Sequence, residues 1–414
     1  VTLSTRTALT YRHERWRAVA SGVLETAGTT FLLLIAVRWF HAGALAKAFI
    51  AGGGSLGFIF SPWIVSRVER LGWPVAVAAS RLALVGAGST LAMAAVPILP
   101  VFVVGAGLAM ATVAAAVPLM TQIFQENYPE HERGRLFSRT VMIRIAVAAA
   151  FSELAGRALA GRLERFQWLL LVFTAAFGLT AWCIRGCPSR PLQATDGSHP
   201  FKALRYLRDD RLFRQTLVMW MLMGFGNLMM LPLRVEYLAN PKYGVTWGGA
   251  ALTAAHIALL TGVAPNLARL ALNPFWGWAF DRMNFFALRM TLNIGFALGI
   301  FAFFSSGSIL GLIGAALIFG IANAGGDVAW SLWVTKFAPP ERVADYMSVH
   351  TFLTGVRGVL APVVAFQLTA VWSLTTISWV SVGLILLATA LLIPELKYGW
   401  GVRSAEALVE EVSE

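Results

Sequence analysis

Apolar runs of about 20 residues recur along the whole chain, broken by short stretches rich in charge, proline and glycine. A helix of that length crosses the roughly 30 Å hydrocarbon core of a bilayer. The pattern predicts twelve spans, at about 18–38, 45–66, 74–95, 99–124, 139–160, 167–186, 214–235, 249–279, 286–306, 309–336, 346–371 and 373–393. The expected fold class is an all-α integral membrane protein. An even number of crossings places both termini on one side.

Composition agrees with the pattern. Of 414 residues 57% are hydrophobic and 13% charged, and mean hydropathy is +0.68. A soluble domain carries roughly 25% charged residues. The first 17 residues, including "YRHERWR", are too polar and basic for a signal peptide. A net charge of +12 raises nucleic acid as a partner, but its distribution argues against it. Arg6, Arg12, Arg15 and Arg17 precede the first span. Arg185, Arg190, Lys202, Arg205, Arg208, Arg211 and Arg214 fill the central loop. Arg67, Arg70, Arg133, Arg135, Arg139, Arg282, Arg289, Lys336 and Arg342 occupy the loops after spans 2, 4, 8 and 10. Alternate loops are nearly bare, except near Arg162 and Arg165. The positive-inside rule therefore sets both termini and the central loop in the cytoplasm. Compact tails and short external loops favour a bacterial inner membrane. Cys183 and Cys187 read as reduced thiols at a helix end, since two thiols alone make a poor metal site.

The chain repeats itself. "SPWIVSRVERLG" (Ser61–Gly72) and "NPFWGWAFDRMN" (Asn273–Asn284) share one skeleton. Pro62, Trp63, Glu69 and Arg70 match Pro274, Phe275, Asp281 and Arg282 at an offset of 212. A second pair, "YPEHERGRLFS" and "APPERVADYMS", aligns Glu132–Arg133 with Glu341–Arg342 at an offset of 209. Two loop motifs at nearly one offset imply a direct repeat of two six-helix halves, with a solute site near the midplane between them. The expected organisation is a first bundle over 1–186, a linker over 187–213, a second bundle over 214–393 and a cytoplasmic tail over 394–414. The linker opens with "CPSRPLQATDGSHP" and continues as "FKALRYLRDDRLFR", where Phe201, Leu204, Leu207 and Leu212 have amphipathic helical spacing.

Twelve spans in two halves, a long central loop and an acid–arginine motif after the second span of each half resemble the major facilitator superfamily. The resemblance covers nearly the whole chain. The superfamily's loop signature is glycine, three residues, aspartate, arginine, one residue, glycine. Gly277, Asp281 and Arg282 match it in the second half, where Asn284 replaces the last glycine. Glu69, Arg70 and Gly72 match in the first half, where Val65 replaces the first glycine. The resemblance implies a cytoplasmic gate. Glu69 would meet the start of span 11 and Asp281 the start of span 5, each carboxylate stabilised by a helix N-terminus. Span 4 lacks the arginine of many proton-coupled members, span 5 lacks the glycine–proline pair of drug:proton antiporters, and sugar-porter signatures are absent.

Charges at membrane depth cost at least about 2.5–3.5 kcal/mol each by insertion scales and usually face a cavity or a partner. Glu25 lies inside span 1 on a stripe with Ser21 and Thr29. Desolvation favours the protonated form of a carboxyl group, so a glutamate in that setting suits proton binding. Asp327 shares a face of span 10 with Asn323 and either Trp330 or Ser331. Arg357 shares a face of span 11 with His350 and Thr354. Both charges lie roughly 15 Å deep, so a ligand-breakable Asp327–Arg357 pair is one expectation and a permanent salt bridge the other. Arg144 in span 5 is the cavity-facing charge of its helix, because Glu153 has Arg157 as a local partner. Arg81 in span 3 reads as structural, with Glu25 as a candidate partner. His256 beside Thr253 is a relay candidate or a satisfied helix histidine. Trp220, Met223, Asn227 and Met230 form one face of span 7, suited to an amphipathic ligand or to ordinary packing.

Taken with the resemblance, these residues lead to the expectation of a monomeric secondary transporter without cofactor or metal. No G-x-x-x-x-G-K-[ST] loop is present, which argues against ATP-driven transport. No serine–histidine pair or metal-ligand cluster has catalytic spacing, so an enzyme is not expected. Glu25 and Asp327 set against Arg144 and Arg357 favour an organic anion or zwitterion, carried with protons. The alternatives are an exporter or flippase of lipophilic compounds and a non-transporting membrane sensor.

Overall fold

A computed structural model describes residues 5–192, 205–333 and 343–398. Phe201, Leu204, Lys336, Glu341, Arg342 and the tail from 399 lie outside these ranges, as do the side chains of Asp281 and Ser331.

Twelve long helices are described. They are α1 (Thr5–Arg38), α2 (Ala44–Leu71), α3 (Val75–Ala95), α4 (Leu99–Asn127), α5 (Glu130–Leu159) and α6 (Phe166–Arg185) in the first half. The second half holds α7 (Arg211–Ala239), α8 (Ala254–Phe280), α9 (Phe285–Ser305), α10 (Ile309–Leu332), α11 (Val343–Leu368) and α12 (Leu374–Leu391). Eleven are long and apolar enough to cross a bilayer. The exception is α5, whose sequence carries Glu132, Arg133, Arg135, Arg139, Arg144, Glu153 and Arg157. In hydrocarbon a backbone must satisfy its own polar groups, and helices do so segment by segment. Side chains mark where several begin. Asp210 accepts from Phe213 N at α7, Asn284 from Phe286 N and Ala287 N at α9, Ser308 from Gly311 N at α10, and Ser373 from Thr376 N at α12.

Two boundaries differ from the sequence expectation, and one charge counted with the loops lies inside a helix. The stretch expected to open span 8 is a small hairpin instead. Thr246–Trp247 pairs antiparallel with Ala250–Ala251, and the left-handed Gly248 and Gly249 (φ 58° and 81°) make the turn. Among the described residues of the amphipathic linker stretch, one helical turn, Tyr206–Asp209, ends at extended Asp210, which starts α7 afresh. Leu212 and Phe213 then belong to the buried face of α7. Arg289, counted above as a loop cation, sits in the second turn of α9 and is 4% exposed.

The linker side of the molecule is tied at both ends. Val75 N donates to Arg190 O (3.2 Å), and Tyr346 Oη donates to Asp210 Oδ2 (2.9 Å). Cys183 and Cys187 are free thiols and both are buried. Burial pushes the Cys187 thiol, just beyond α6, up to about 12.

The two halves meet along α2–α11 and α5–α8. At Gly355 of α11 a Cβ would fall 2.9 Å from the backbone of Ile59, so the α2–α11 seam depends on that missing side chain. The face opposite the linker, here the far face, is bridged across the halves. Lys47 Nζ lies 2.8 Å from Glu236 Oε1, with the Glu236 side chain fully buried. Arg38 Nε donates to Ala239 O at 2.9 Å.

Candidate functional site

The site starts from one arginine in an apolar helix. Arg269 stands in "PNLARLAL" of α8, about 22 Å along the helix from its far end at 1.5 Å per residue. Its side chain is 7% exposed. Such a charge needs partners, and it has carboxylates on two sides. Nη1 donates to Glu25 Oε1 of α1, in the other half. Nε donates to Asp327 Oδ2 of α10 at 2.5 Å. Nη1 also reaches Asn266 Oδ1 at 3.3 Å, one turn away on α8.

A second arginine joins from α5. Arg144 Nε lies 3.1 Å from Glu25 Oε2. The contact is an ion pair without hydrogen-bond geometry, since Arg144 Nε has no hydrogen-bond partner among the described residues. Two guanidiniums and two carboxylates thus alternate across the boundary between the halves, with no net charge. Arg144 and Asp327 keep 35% and 31% of their side-chain surface exposed, whereas Arg269 at the centre is enclosed.

Local backbone features position this set. Gly320 of α10 lies against Pro265 O of α8, and a Cβ there would collide with that carbonyl. Arg269 is one turn beyond Pro265 and Asp327 two turns beyond Gly320, so this close approach brings the pair into register. Toward the far face, α1 and α8 each contain a π-helical turn, Ala27–Phe31 and Leu259–Val263. Thr30 and Thr261 share a buried 2.9 Å hydrogen bond between those turns. Such π turns occur frequently at functional sites.

No family sequence model matches the chain, and no curated protein matches its sequence. Solved structures do match. The crystal structure of the nucleoside transporter NupG superposes with a TM-score of 0.72 at 12% identity, covering 95% of this chain and 100% of that one. A D-xylose-proton symporter gives 0.65 at 17% identity, covering 95% and 97%. A bacterial homologue of the human lysosomal transporter Spinster, inward-facing and occupied, gives 0.67 at 12% identity, covering 96% and 98%. The chain adopts the major facilitator fold.

In a major facilitator fold built this way, the charges picked out by sequence distribute unevenly. Glu25, Arg144 and Asp327 come together, and Arg269 joins them. Arg357 does not. The expected Asp327–Arg357 pair is not formed, because Arg269 takes the Asp327 carboxylate and Arg357 turns toward α7, donating through Nη1 to Trp220 O. Asn323 is half-buried one turn from Asp327. Trp330 packs on Phe58 across the halves, with ring centroids 6.1 Å apart.

His256 is occupied structurally. It closes a capping box at the start of α8, accepting from Thr253 N through Nδ1, and its ring stacks on Trp247 at 4.5 Å. Arg81 lies over the Trp73 ring at 3.8 Å and not beside Glu25. Glu153 and Arg157 pair at 2.5 Å as expected. The Trp220–Met230 face of α7 packs inside the second bundle: Trp220, Met223 and Met230 are buried, and half-buried Asn227 leaves Oδ1 without a partner among the described residues. It therefore offers a ligand little aromatic surface.

The gate motif is described in part. Gly277 and Arg282 lie in the last two turns before α9, with Arg282 over the Trp278 ring at 5.2 Å. Glu69 and Arg70 close α2, which ends on left-handed Gly72. The Asp281 side chain and the residues just before α11 lie outside the described set, so the motif's expected contacts are not described.

Arg269, Lys47 and Glu236 are absent from the sequence expectation. The signal for Arg269 was present, a lone arginine in the middle of an apolar span. Lys47 and Glu236 sit near helix ends, where charges ordinarily face water, and their pairing across halves has no sequence signature.

Proposed function

We propose that this chain is a secondary active transporter that moves a small organic solute by alternating access. The observation that carries the reading is Arg269 held between Glu25 of one half and Asp327 of the other. A mid-membrane ion network across two rigid bundles ties them in one arrangement, and a transport cycle has to break that tie. Proton binding to Glu25 removes the cross-half attraction on Arg269, which couples proton uptake to separation of the halves. The π turns of α1 and α8 supply local give beside the network. The closed far face, held by Lys47–Glu236 and Arg38–Ala239, matches a state in which solute exchanges toward the linker side.

The linker side is cytoplasmic by the positive-inside rule, given Arg6, Arg12, Arg15, Arg17, Arg185 and Arg190 on that side. A bacterial inner membrane and a monomeric unit fit the same reading.

The solute class we favour is an organic anion or zwitterion. The support is Arg144, which is partly exposed and makes no hydrogen bond through Nε among the described residues, while Arg269 is held by both carboxylates. Its guanidinium fork suits a carboxylate or phosphate. The test is uptake into proteoliposomes of a panel of labelled carboxylates, amino acids, uridine and D-xylose, with and without an inward proton gradient. Gradient-dependent uptake of a charged solute, lost in Arg144→Gln, is expected. Uptake confined to uridine or D-xylose would retain the transporter and overturn the anion assignment. Transport indifferent to the gradient would overturn the proton coupling.

A further inference from the structure

The second bundle holds a further pair of arginines that the network does not use, Arg289 buried and Arg357 half-buried. Arg289 of α9 and Arg357 of α11 approach Trp220 of α7 from two directions. The Arg289 guanidinium lies over the Trp220 ring at 3.8 Å and Arg357 Nη1 donates to the Trp220 carbonyl. Neither forms an ion pair among the described residues. Burying one uncompensated cation is costly, and two in one pocket more so.

Among the described residues neither guanidinium meets a carboxylate, and several polar atoms around them are left without a partner. The one hydrogen bond from Arg289 among the described residues goes to the Met223 thioether (2.8 Å), a weak acceptor. Arg357 Nε is buried with no partner among the described residues. On the same face of α11, Thr354 Oγ1 and both ring nitrogens of His350 are also buried and unpartnered among the described residues. The His350 residue is 0% exposed, with its ring edge-on to Trp220 (5.4 Å) and Trp333 (5.2 Å). Gly224 completes the recess: a Cβ there would collide with the Arg357 guanidinium, so the missing side chain holds that group against α7. Arg357 itself stays partly exposed.

We propose that Arg289 and Arg357, with Thr354 and His350, form a receptor for a small oxyanion, a carboxylate or phosphate group, inside the second bundle. The ligand supplies what the pocket lacks, negative charge and acceptor oxygens, and two guanidiniums suit a planar or tetrahedral oxyanion. Water satisfies donors but does not neutralise two cations. The site shares no contact with the Glu25–Arg269–Asp327 network among the described residues. The proposal holds whether or not the transported solute is an anion.

The test is thermal unfolding of the purified full chain in detergent at pH 7, titrated with sodium phosphate or sodium acetate at constant ionic strength set by sodium chloride. A ligand of the folded state raises the melting temperature as its concentration rises. The proposal expects a rise of several degrees with at least one of the two probes. Phosphate alone marks a phosphate ligand, and acetate marks a carboxylate. The rise should vanish in Arg289→Met and in Arg357→Met and persist in Arg144→Gln, which separates this site from the network. Without either probe, Arg289→Met should melt no lower than wild type, because an uncompensated buried cation has been removed. No rise in wild type, or an undiminished rise in both methionine variants, overturns the site. An Arg289→Met protein that melts well below wild type without probe makes Arg289 a structural cation and overturns it too.

Discussion

Arg269 of α8 donates to Glu25 of α1 across the boundary between the two bundles, and the same guanidinium donates to Asp327 of its own half. Because Arg269 is almost enclosed, removing it leaves carboxylates without their main counter-charge. Breaking a buried pair from one side costs about 3–5 kcal/mol. Arg269→Gln should therefore unfold at a clearly lower temperature at pH 7. Adding Glu25→Gln should return part of the loss, so the two substitutions are not additive. Thermal melts of the two single variants and the double variant check this. Additive losses would mean that the contact contributes little.

Gly320 sets the spacing on which that network depends. A valine there cannot fit against Pro265 O without moving α10 away from α8. Overpacking of this kind costs roughly 1–3 kcal/mol. Gly320→Val should lower the melting temperature and, at equal folded yield, weaken transport much as Arg269→Gln does. Wild-type transport in a folded Gly320→Val protein would show that the register of α8 and α10 is not critical.

Lys47 and Glu236 hold the far face shut. Glu236 Oε1 also accepts from Asn240 Nδ2 at 2.8 Å. Lys47→Met strands a fully buried carboxylate, and the same estimate of about 3–5 kcal/mol applies. The double variant Lys47→Met/Glu236→Met should recover most of the stability, since apolar replacements of a buried pair are often neutral. Single-cysteine probes just inside the far face should label faster in the double variant than in wild type. Equal labelling rates would mean that other contacts close that face.

His256 caps α8 through Nδ1 and stacks on Trp247, a structural role at the helix start. His256→Gln should leave the pH profile of transport in place and cost at most about 1–2 kcal/mol, the range for a lost cap. A shifted pH profile in that variant would restore the relay reading.

The architecture was legible because the bilayer imposes it. Twenty-residue apolar runs have no alternative in hydrocarbon, and the paired motifs around Glu69 and Asp281 mark two halves. Glu25, Arg144 and Asp327 were legible for the same reason, since a charge at that depth requires a partner. Which partner it takes was not. Asp327 and Arg357 are equally deep on consecutive helices, yet depth says nothing of helix rotation, and rotation points them to different neighbours. Arg269 carried the same signal as Glu25, and its omission left the network without its centre. Arg289 misled the loop census, which counts it with the loop cations although it lies inside the span expected at 286–306, where Asn284 caps α9. The far-face pair was illegible for a different reason, since lysine and glutamate near helix ends ordinarily face water.

The central claim is that the Arg269 network couples solute movement to protons. Its most direct test records a trapped pH indicator in proteoliposomes as carboxylates, amino acids, uridine and D-xylose are added to wild type, Arg269→Gln and Asp327→Asn, reconstituted at equal density. The account predicts solute-dependent proton movement in wild type and its loss in both variants. Wild-type proton movement that survives Arg269→Gln would contradict it.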